Sequence, residues 1–340
     1  MKKDILKLSY VALASAMVIM GTQSCNKKDD GPATNYNSPA EVLADLAPDV
    51  QSFTLDVSKE NVITGEDGTV ITIPANAFVD ANGNPVQGVV TMDLKEVLSL
   101  GDQFTSGAFA VSDGKLLNSG GEFYLKFTAG GQELTLADNK SIDVQIPTDN
   151  VDSNMTVYTG TTVSNNPLEN DTSGSTVNWQ VAVDTTTNDS ATYKDPSELY
   201  FATEMYVMKI YELYQNGWYN VDYYANYDEL LHDGKCSVVV ADNKDDEEIE
   251  LAFQFIYKGF NSVCTLYSWD KKTVVGEQNF ELSGYWVKNQ TPVLVVMGVG
   301  KKSKKLYFGK VSVQITEGVE AKVQLNSISK EALSQELDYL

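Results

Sequence analysis

Few residues of this chain could do chemistry through a thiol or an imidazole. The chain has three cysteines, Cys25, Cys236 and Cys264, and a single histidine, His232. His232 lies in the run from Leu231 to Gly234, which is typical of a turn, and any nucleophile–histidine site would have to be built on it. No Gly-x-Ser-x-Gly motif accompanies it. One histidine and two further cysteines fall short of the usual zinc ligand sets, so we expect no catalytic residue, no metal and no cofactor.

Acidic side chains are the other source of chemistry, since the chain has 47 of them and a formal net charge of −22. The densest cluster spans residues 242–248, and a second group spans residues 80–84. Both could offer oxygen ligands to Ca²⁺, but neither has the terminal glutamate of a calcium loop. We therefore expect solvated hairpin turns at both places. A carboxylate pair of the kind used in glycoside hydrolysis stays an alternative, because spacing alone does not identify one.

An aromatic cluster between residues 206 and 227 has binding potential. Exposed Tyr and Trp rings stack on sugars or anchor protein partners. This makes Trp218, Tyr219 and Tyr223 candidate stacking residues for a glycan or protein ligand. The alternation of residues 206–211 also fits a strand with one buried face, in which case the rings fill a core.

The basic residues argue against nucleic acid as a partner. All 25 of them are lysine, so the chain lacks the guanidinium fork that recognises phosphates and base edges. A strongly acidic chain is also repelled by the nucleic-acid backbone. The same charge opposes electrostatic adhesion to anionic lipid, so any attachment to a membrane must come from lipid chains.

Cys25 lies at the junction between a secretion signal and the acidic body. Lysines 2, 3 and 7 precede a 13-residue apolar stretch from Leu8 to Met20, which is too short for a permanent membrane span. Ser24 directly before Cys25 resembles the lipobox of bacterial lipoproteins, in which the thiol is acylated, for example with palmitate, and the signal is removed. Cleavage there leaves a net charge near −24, since residues 1–24 carry three lysines and one aspartate. The membrane is therefore the expected partner, through a lipid anchor at Cys25.

Export would bring the chain into a compartment where disulfides can form. Cys236 and Cys264 both lie in predicted strands of the same domain, so a disulfide between them is feasible. Two buried free thiols are the alternative, since cysteine is among the most buried residue types. The sequence leaves both alternatives open.

Short runs of β-branched and aromatic residues with turn signals between them predict an all-β fold. The exceptions are a short helix after Ser38, which has proline at its first position, and an amphipathic helix over residues 329–340. Strands at this spacing favour two β-sandwiches in tandem. We divide the chain into a signal peptide (1–24), a lipidated tether with a short helix (25–50), a first β-sandwich (51–150), a polar linker with one strand (151–196) and a second β-sandwich with a C-terminal helix (197–340).

Three stretches carry a family resemblance. Residues 63–78 resemble the first strand of the ZU-five-like β-sandwich, although Asn76 stands where that family prefers glycine. Residues 216–222 with 257–263, and the final strand and helix from Tyr307, resemble uncharacterised Bacteroidota lipoproteins. The C-terminal part of those proteins is transthyretin-like or carboxypeptidase-regulatory-like. The resemblance implies architecture and source, and it carries over no active-site residue.

Two shorter motifs fit the same bacterial group. Lys28-Asp29-Asp30 after the cysteine resembles a surface-export signal, which implies an outer-membrane protein that faces outward. Thr185 and Ser190 lie in Asp-Thr-Thr and Asp-Ser-Ala sequences that resemble protein O-glycosylation acceptors.

The sequence therefore predicts a non-enzymatic surface lipoprotein that acts in envelope binding or adhesion. One alternative is a glycan-binding accessory of an outer-membrane nutrient-uptake system, for which Trp218 and its neighbours would have to be exposed. A second alternative is a hydrolase with paired carboxylates, for which two carboxyl groups would have to share a concave pocket.

Overall fold

The structure is a computed structural model, and it describes residues 36–149, 151–162, 177–182, 197–213, 217–227, 229–240, 248–268, 272–273 and 276–340. Cys25, the Lys28-Asp29-Asp30 motif, Thr185 and Ser190 lie outside these ranges.

The all-β prediction is confirmed, because the described chain is mostly strand, with three short helices. Strands β1 to β12 are Gln51–Asp56, Asn61–Thr64, Val70–Ile73, Phe78–Val79, Val89–Val97, Val111–Ser112, Lys115–Ala129, Gln132–Glu133, Thr135–Leu136, Ile142–Pro147, Thr156–Thr162 and Val177–Val181. Strands β13 to β23 are Ser197–Ala202, Met205–Ile210, Trp218–Tyr224, Leu230–Val240, Ile249–Tyr257, Ser262–Leu266, Lys272–Thr273, Gly276–Val287, Val293–Gly300, Leu306–Ser312 and Glu320–Ile328. The helices are α1 (Pro39–Leu46), α2 (Leu100–Ser106) and α3 (Lys330–Asp338).

Each helix begins at a serine whose side chain accepts a hydrogen bond from a backbone N–H of the first turn. This satisfies one of the donors that a helix start leaves without a partner. The predicted helices α1 and α3 are confirmed, with Leu333 and Leu337 buried. Helix α2 was not predicted. It is only seven residues long and has a capping box between Ser99 and Asp102.

The first half is a β-sandwich of two sheets. One sheet has the strand order β1-β5-β7-β15-β11-β12, with β6 and β8 attached to β7, and the other has the order β13-β14-β10-β3-β2. Alternate side chains of both sheets point into a shared apolar core, as the period of a strand requires. Met92 and Phe123 contribute from the first sheet, and Ile71, Val144 and Met208 from the second.

The strand pairing moves the boundary between the two halves. Strand β13 pairs with β14, β14 with β10 and β15 with β7, so these three strands complete the first sandwich instead of opening the second. Strand β11, which lies in the expected polar linker, is the neighbour of β15 in the same sheet. Local composition does not encode backbone pairing over such sequence distances. The polar composition of residues 151–196 therefore predicts a linker, although β11 belongs to the sheet.

The second half is one curled sheet with the order β18-β17-β21-β22-β23-β16-β20. Its two ends meet where Tyr267, just after β18, exchanges both backbone hydrogen bonds with Ser283 of β20, each at 2.8 Å. The sheet thereby closes around its own core without open edges along that seam. Strands β21 and β22 pair antiparallel as a hairpin around residues 301–304.

Residues 36–340 form one compact unit. Helices α1 and α3 pack on the core of the second half through Val42, Leu43, Leu333 and Leu337. Within the described ranges, no helix is both long enough and apolar enough to cross a bilayer.

Candidate functional site

The structure does not provide the aromatic platform that the sequence suggested. Trp218 is only 8% exposed, and its ring nitrogen donates to the Thr162 hydroxyl at 3.1 Å. Tyr219 is fully buried and stacks on Phe123, with ring centroids 5.2 Å apart. Tyr223 is half-buried, and its hydroxyl accepts from the Asn118 side chain at 2.7 Å. Successive residues of β15 point into different cores, so these rings cannot form one flat exposed surface.

The two cysteines of the second half are not bridged. Cys236 in β16 and Cys264 in β18 are both buried free thiols, so of the two alternatives the free thiols hold. Burial raises the pKa of the Cys236 thiol to about 12 and that of Cys264 further still. Both therefore stay protonated and act as small apolar groups, because only the thiolate is a good nucleophile.

His232 lies in strand β16 and not in a turn. Between the pairs Leu231–Trp286 and Asp233–Ser283, β16 advances two residues while β20 advances three, so His232 lies opposite a β-bulge in β20. Its side chain is exposed. The Gly234 that suggested a turn is explained by Trp286, since a Cβ at Gly234 would come within 2.5 Å of that indole ring.

The turn that begins at Asp80 uses its own carboxylate. Oδ1 of Asp80 accepts from the backbone N–H groups of Asn82 and Asn84 at 2.8 and 2.9 Å. Hydrogen bonds from Asn84 and Asn82 lower the pKa of this exposed carboxyl. These contacts belong to a solvated turn. Of the acidic cluster at residues 242–248, only Glu248 is described, and it forms an ion pair with Lys301.

A buried polar cluster that the sequence did not single out lies at the centre of the first sheet. It consists of Glu122 on β7 with Asn220 and Asp222 on β15, and all three residues are fully buried. Asn220 lies directly opposite Glu122 in the antiparallel register. Side chains in such a pair lie on the same face, with their Cβ atoms about 5 Å apart. We call this group the Glu122 cluster.

A β-bulge brings Asp222 toward the same point. Between the pairs Asn220–Glu122 and Asp222–Ser119, β15 advances two residues while β7 advances three. The extra residue falls at Gly120–Gly121, where Gly121 has a φ of +128°. A Cβ at Gly120 would lie 2.8 Å from the Val221 carbonyl oxygen. The glycine pair therefore allows a backbone path that redirects the following side chain.

Most acceptor oxygens of the Glu122 cluster have no hydrogen-bond donor. Asn220 donates from Nδ2 to Oδ2 of Asp222 at 2.5 Å. Both carboxylate oxygens of Glu122, Oδ1 of Asn220 and Oδ1 of Asp222 have no hydrogen-bond partner in the described structure. Buried polar atoms are nearly always paired, so four orphan oxygens in one place need an explanation.

Burial dominates the electrostatics of the cluster. It raises the pKa of Glu122 well above the usual value, and the negative charges of Asp222 and Asp102 add to the effect. Burial also raises the pKa of Asp222, although the Ser119 hydroxyl, the Asn220 amide and the Gly120 N–H act in the opposite direction. The low dielectric penalises each ionised carboxyl, and their proximity penalises two together.

A second apolar cluster and helix α2 enclose this face of the sheet. Val97 lies opposite Glu122 in the register of β5 and β7, and Trp218 lies two residues before Asn220 on β15. Both side chains pack with Ala108 and Ala110 of the segment after α2. The Trp179 ring nitrogen donates to the Phe109 carbonyl at 3.0 Å and ties this segment down. The carboxylate pair is therefore sealed in the interior. It is not the solvent-facing cleft that the hydrolase alternative would use.

One signal in the sequence could have pointed to this cluster. Two adjacent glycines inside a strand pattern, followed at once by a glutamate, indicate a bulge and a redirected side chain. The partner strand could not be identified, because Asp222 lies a hundred residues further along the chain.

Comparison of the chain with protein-family models, with curated proteins and with solved structures gave no match.

Proposed function

We propose that this chain is a non-enzymatic surface lipoprotein, anchored in the outer membrane through Cys25 and acting in envelope binding or adhesion. The observation that carries the proposal is the sequence around Cys25. A lysine-rich start, a short apolar stretch and a small residue precede the cysteine, and Lys28-Asp29-Asp30 follows it. Two or three acyl chains anchor a protein stably, whereas one chain binds marginally.

The first described residues, which follow the expected tether, are held firmly to the folded body. Tyr36, eleven residues after the expected anchor, is buried and donates to Asp45 at 2.5 Å. Asp45 also pairs with Lys330 of the C-terminal helix. Lys304 donates to the Asn37 side chain at 2.8 Å. These contacts join the first described residues to the turn between β21 and β22 and to the C-terminal helix.

Two features of the described surface support a binding role. A depression of about 180 Å³ is lined by Leu125, Phe127, Leu134 and Leu213 with the Lys126–Glu133 ion pair. The exposed aromatic rings include Tyr200 and Phe201 on opposite faces of the edge strand β13, and we propose this sheet edge as the contact region for a glycan or protein partner.

The anchor is tested by replacing the thiol. In a bacterial host that processes lipoproteins, we expect the wild-type chain to partition into the detergent phase and to carry a diacylglyceryl mass on Cys25. Cys25→Ser should carry no diacylglyceryl mass and should leave the signal uncleaved. Cys264→Ser is the matched control, because this buried thiol has no expected role in acylation. A Cys25→Ser chain that is still cleaved before residue 25 and still carries the lipid mass would reject the lipoprotein assignment.

A further inference from the structure

The Glu122 cluster concentrates an electrostatic cost that the fold offsets only in part, through the hydrogen-bond donors around Asp222. Burying a polar atom without a partner is unfavourable, and burying an ionised group is more so. Four oxygens are in this position, two of them on one carboxylate. The charges that act on Glu122 come from Asp222 and Asp102, and both are negative. A positive ligand would remove the cost.

We propose that the cluster binds one Ca²⁺ ion, held by the carboxylates of Glu122 and Asp222 and by the carboxamide oxygen of Asn220. The three side chains come from directly paired strands and share one face of the sheet. The charge of the ion balances the two carboxylates. The orphan Oδ1 of Asn220 is an independent sign of a ligand, because a neutral carboxamide has no reason to avoid a hydrogen bond.

The donor set selects the class of metal. All the free atoms are oxygens, which suit hard cations, whereas zinc prefers nitrogen and sulfur. In the described residues, no group of three His, Cys, Asp or Glu side chains is arranged for a metal, so neutral oxygens must complete the shell. The Ser119 hydroxyl beside Asp222 is one candidate.

Calcium fits the sealed position better than magnesium does. Mg²⁺ usually keeps several waters of its hydration shell, and fully buried side chains leave no solvent-facing side for them. Ca²⁺ accepts irregular coordination by carboxylates, carboxamides and carbonyls. An ion so enclosed would be taken up during folding and released only when the sheet opens.

The test is refolding of the full chain with and without calcium. The chain, kept in detergent, is unfolded in guanidinium with a chelator and refolded in excess CaCl₂, MgCl₂ or chelator. We expect about one Ca²⁺ per chain by elemental analysis after desalting. At a hundredfold excess over Kd, the Tm should rise by about 5 °C relative to chelator. MgCl₂ should not reproduce the rise.

Variants locate the ion. Glu122→Gln and Asp222→Asn should abolish the calcium-dependent rise in Tm. Glu281→Gln, an exposed carboxyl of β20, is the matched control and should keep the rise. Asn220→Asp keeps an oxygen ligand, so it should still fold in calcium and should be destabilised in chelator. This variant keeps the test decisive where the other two fail to fold.

A shared proton between the carboxyls is the outcome that overturns the proposal. The protein would then bind no calcium, and chelator would leave its Tm unchanged. Because the folded pKa values would exceed the unfolded ones, its stability would rise as the pH falls toward about 4. Calcium binding that survives in Glu122→Gln and Asp222→Asn would also reject this site. None of these outcomes bears on the lipid anchor, so the two proposals stand or fall separately.

Discussion

At the scale of single residues, the first sandwich depends on a glycine pair that turns a carboxylate inward. Gly121 adopts a φ that side chains disfavour, and its Cβ position is crowded by Ile146 and Leu98, each at 3.1 Å. Gly120 lies against the Val221 carbonyl. The bulge is therefore built from backbone freedom, and the Glu122 cluster depends on it.

We expect Gly121→Ala to destabilise the protein by about 1–3 kcal/mol, since it adds backbone strain to a crowded position. Gly83→Ala is the control. Gly83 also has a positive φ, but no atom lies within 4 Å of its Cβ position, so its cost should be near 1 kcal/mol. Chemical denaturation measures both, and equal costs would show that crowding at the bulge is unimportant.

At the scale of elements, strand β15 is the structural centre of the first half. It lies between β7 and β11, and its residues point alternately into the sandwich core and into the outer cluster beneath Ala108. A strand covered on both faces reads as continuously apolar or aromatic. Its aromatic residues are there for packing, which is why they resembled a binding surface in the sequence.

We therefore expect Trp218→Ala to reduce stability by about 3 kcal/mol or more, because it empties a packed position and removes the hydrogen bond to Thr162. Tyr200→Ala, in the exposed part of β13, should change stability by less than about 1 kcal/mol. Thermal and chemical unfolding compare the two variants. A Trp218→Ala protein with wild-type stability that loses ligand binding would restore the stacking role.

At the scale of the whole molecule, the two halves share apolar packing, because Phe104 and Phe109 lie in the core of the second half, and helix α2 adds polar contacts. The Gln103 side chain of α2 donates to the Asn261 carbonyl at 3.0 Å and accepts from the Val263 N–H at 3.2 Å. Asn261 in turn donates to the Ser119 carbonyl at 2.9 Å, next to the bulge. Residues 36–340 should accordingly unfold together.

Gln103→Ala should separate the unfolding of the halves and cost about 1–3 kcal/mol, since it leaves a buried donor and a buried acceptor without partners. Calorimetry should then show a broadened or double transition in place of one. Gln132→Ala, an exposed glutamine in β8, is the control and should leave a single transition. A single sharp transition in both variants would mean that other contacts hold the halves together.

Much of the fold could be predicted because its causes are local. Alternating β-branched residues predicted strands, a serine before proline predicted α1, and the leucines near residues 333 and 337 predicted the buried face of α3. The Glu122 cluster could not be predicted, because its members meet only through the pairing of β7 with β15. The seven-residue α2 was missed because its capping signal, from Ser99 to Asp102, is short and its pattern is weak.

The sequence by itself determined the features that depend on neighbouring residues: the all-β class, the terminal helices and, as a prediction, the lipid anchor at Cys25. Only the tertiary structure decided which half strands 197–224 belong to, whether the aromatic rings and thiols are buried, and which carboxylates come together. The reason is physical. Strand propensity and capping act within a few residues, whereas burial and strand register depend on contacts between distant segments, and these exist only in the folded chain.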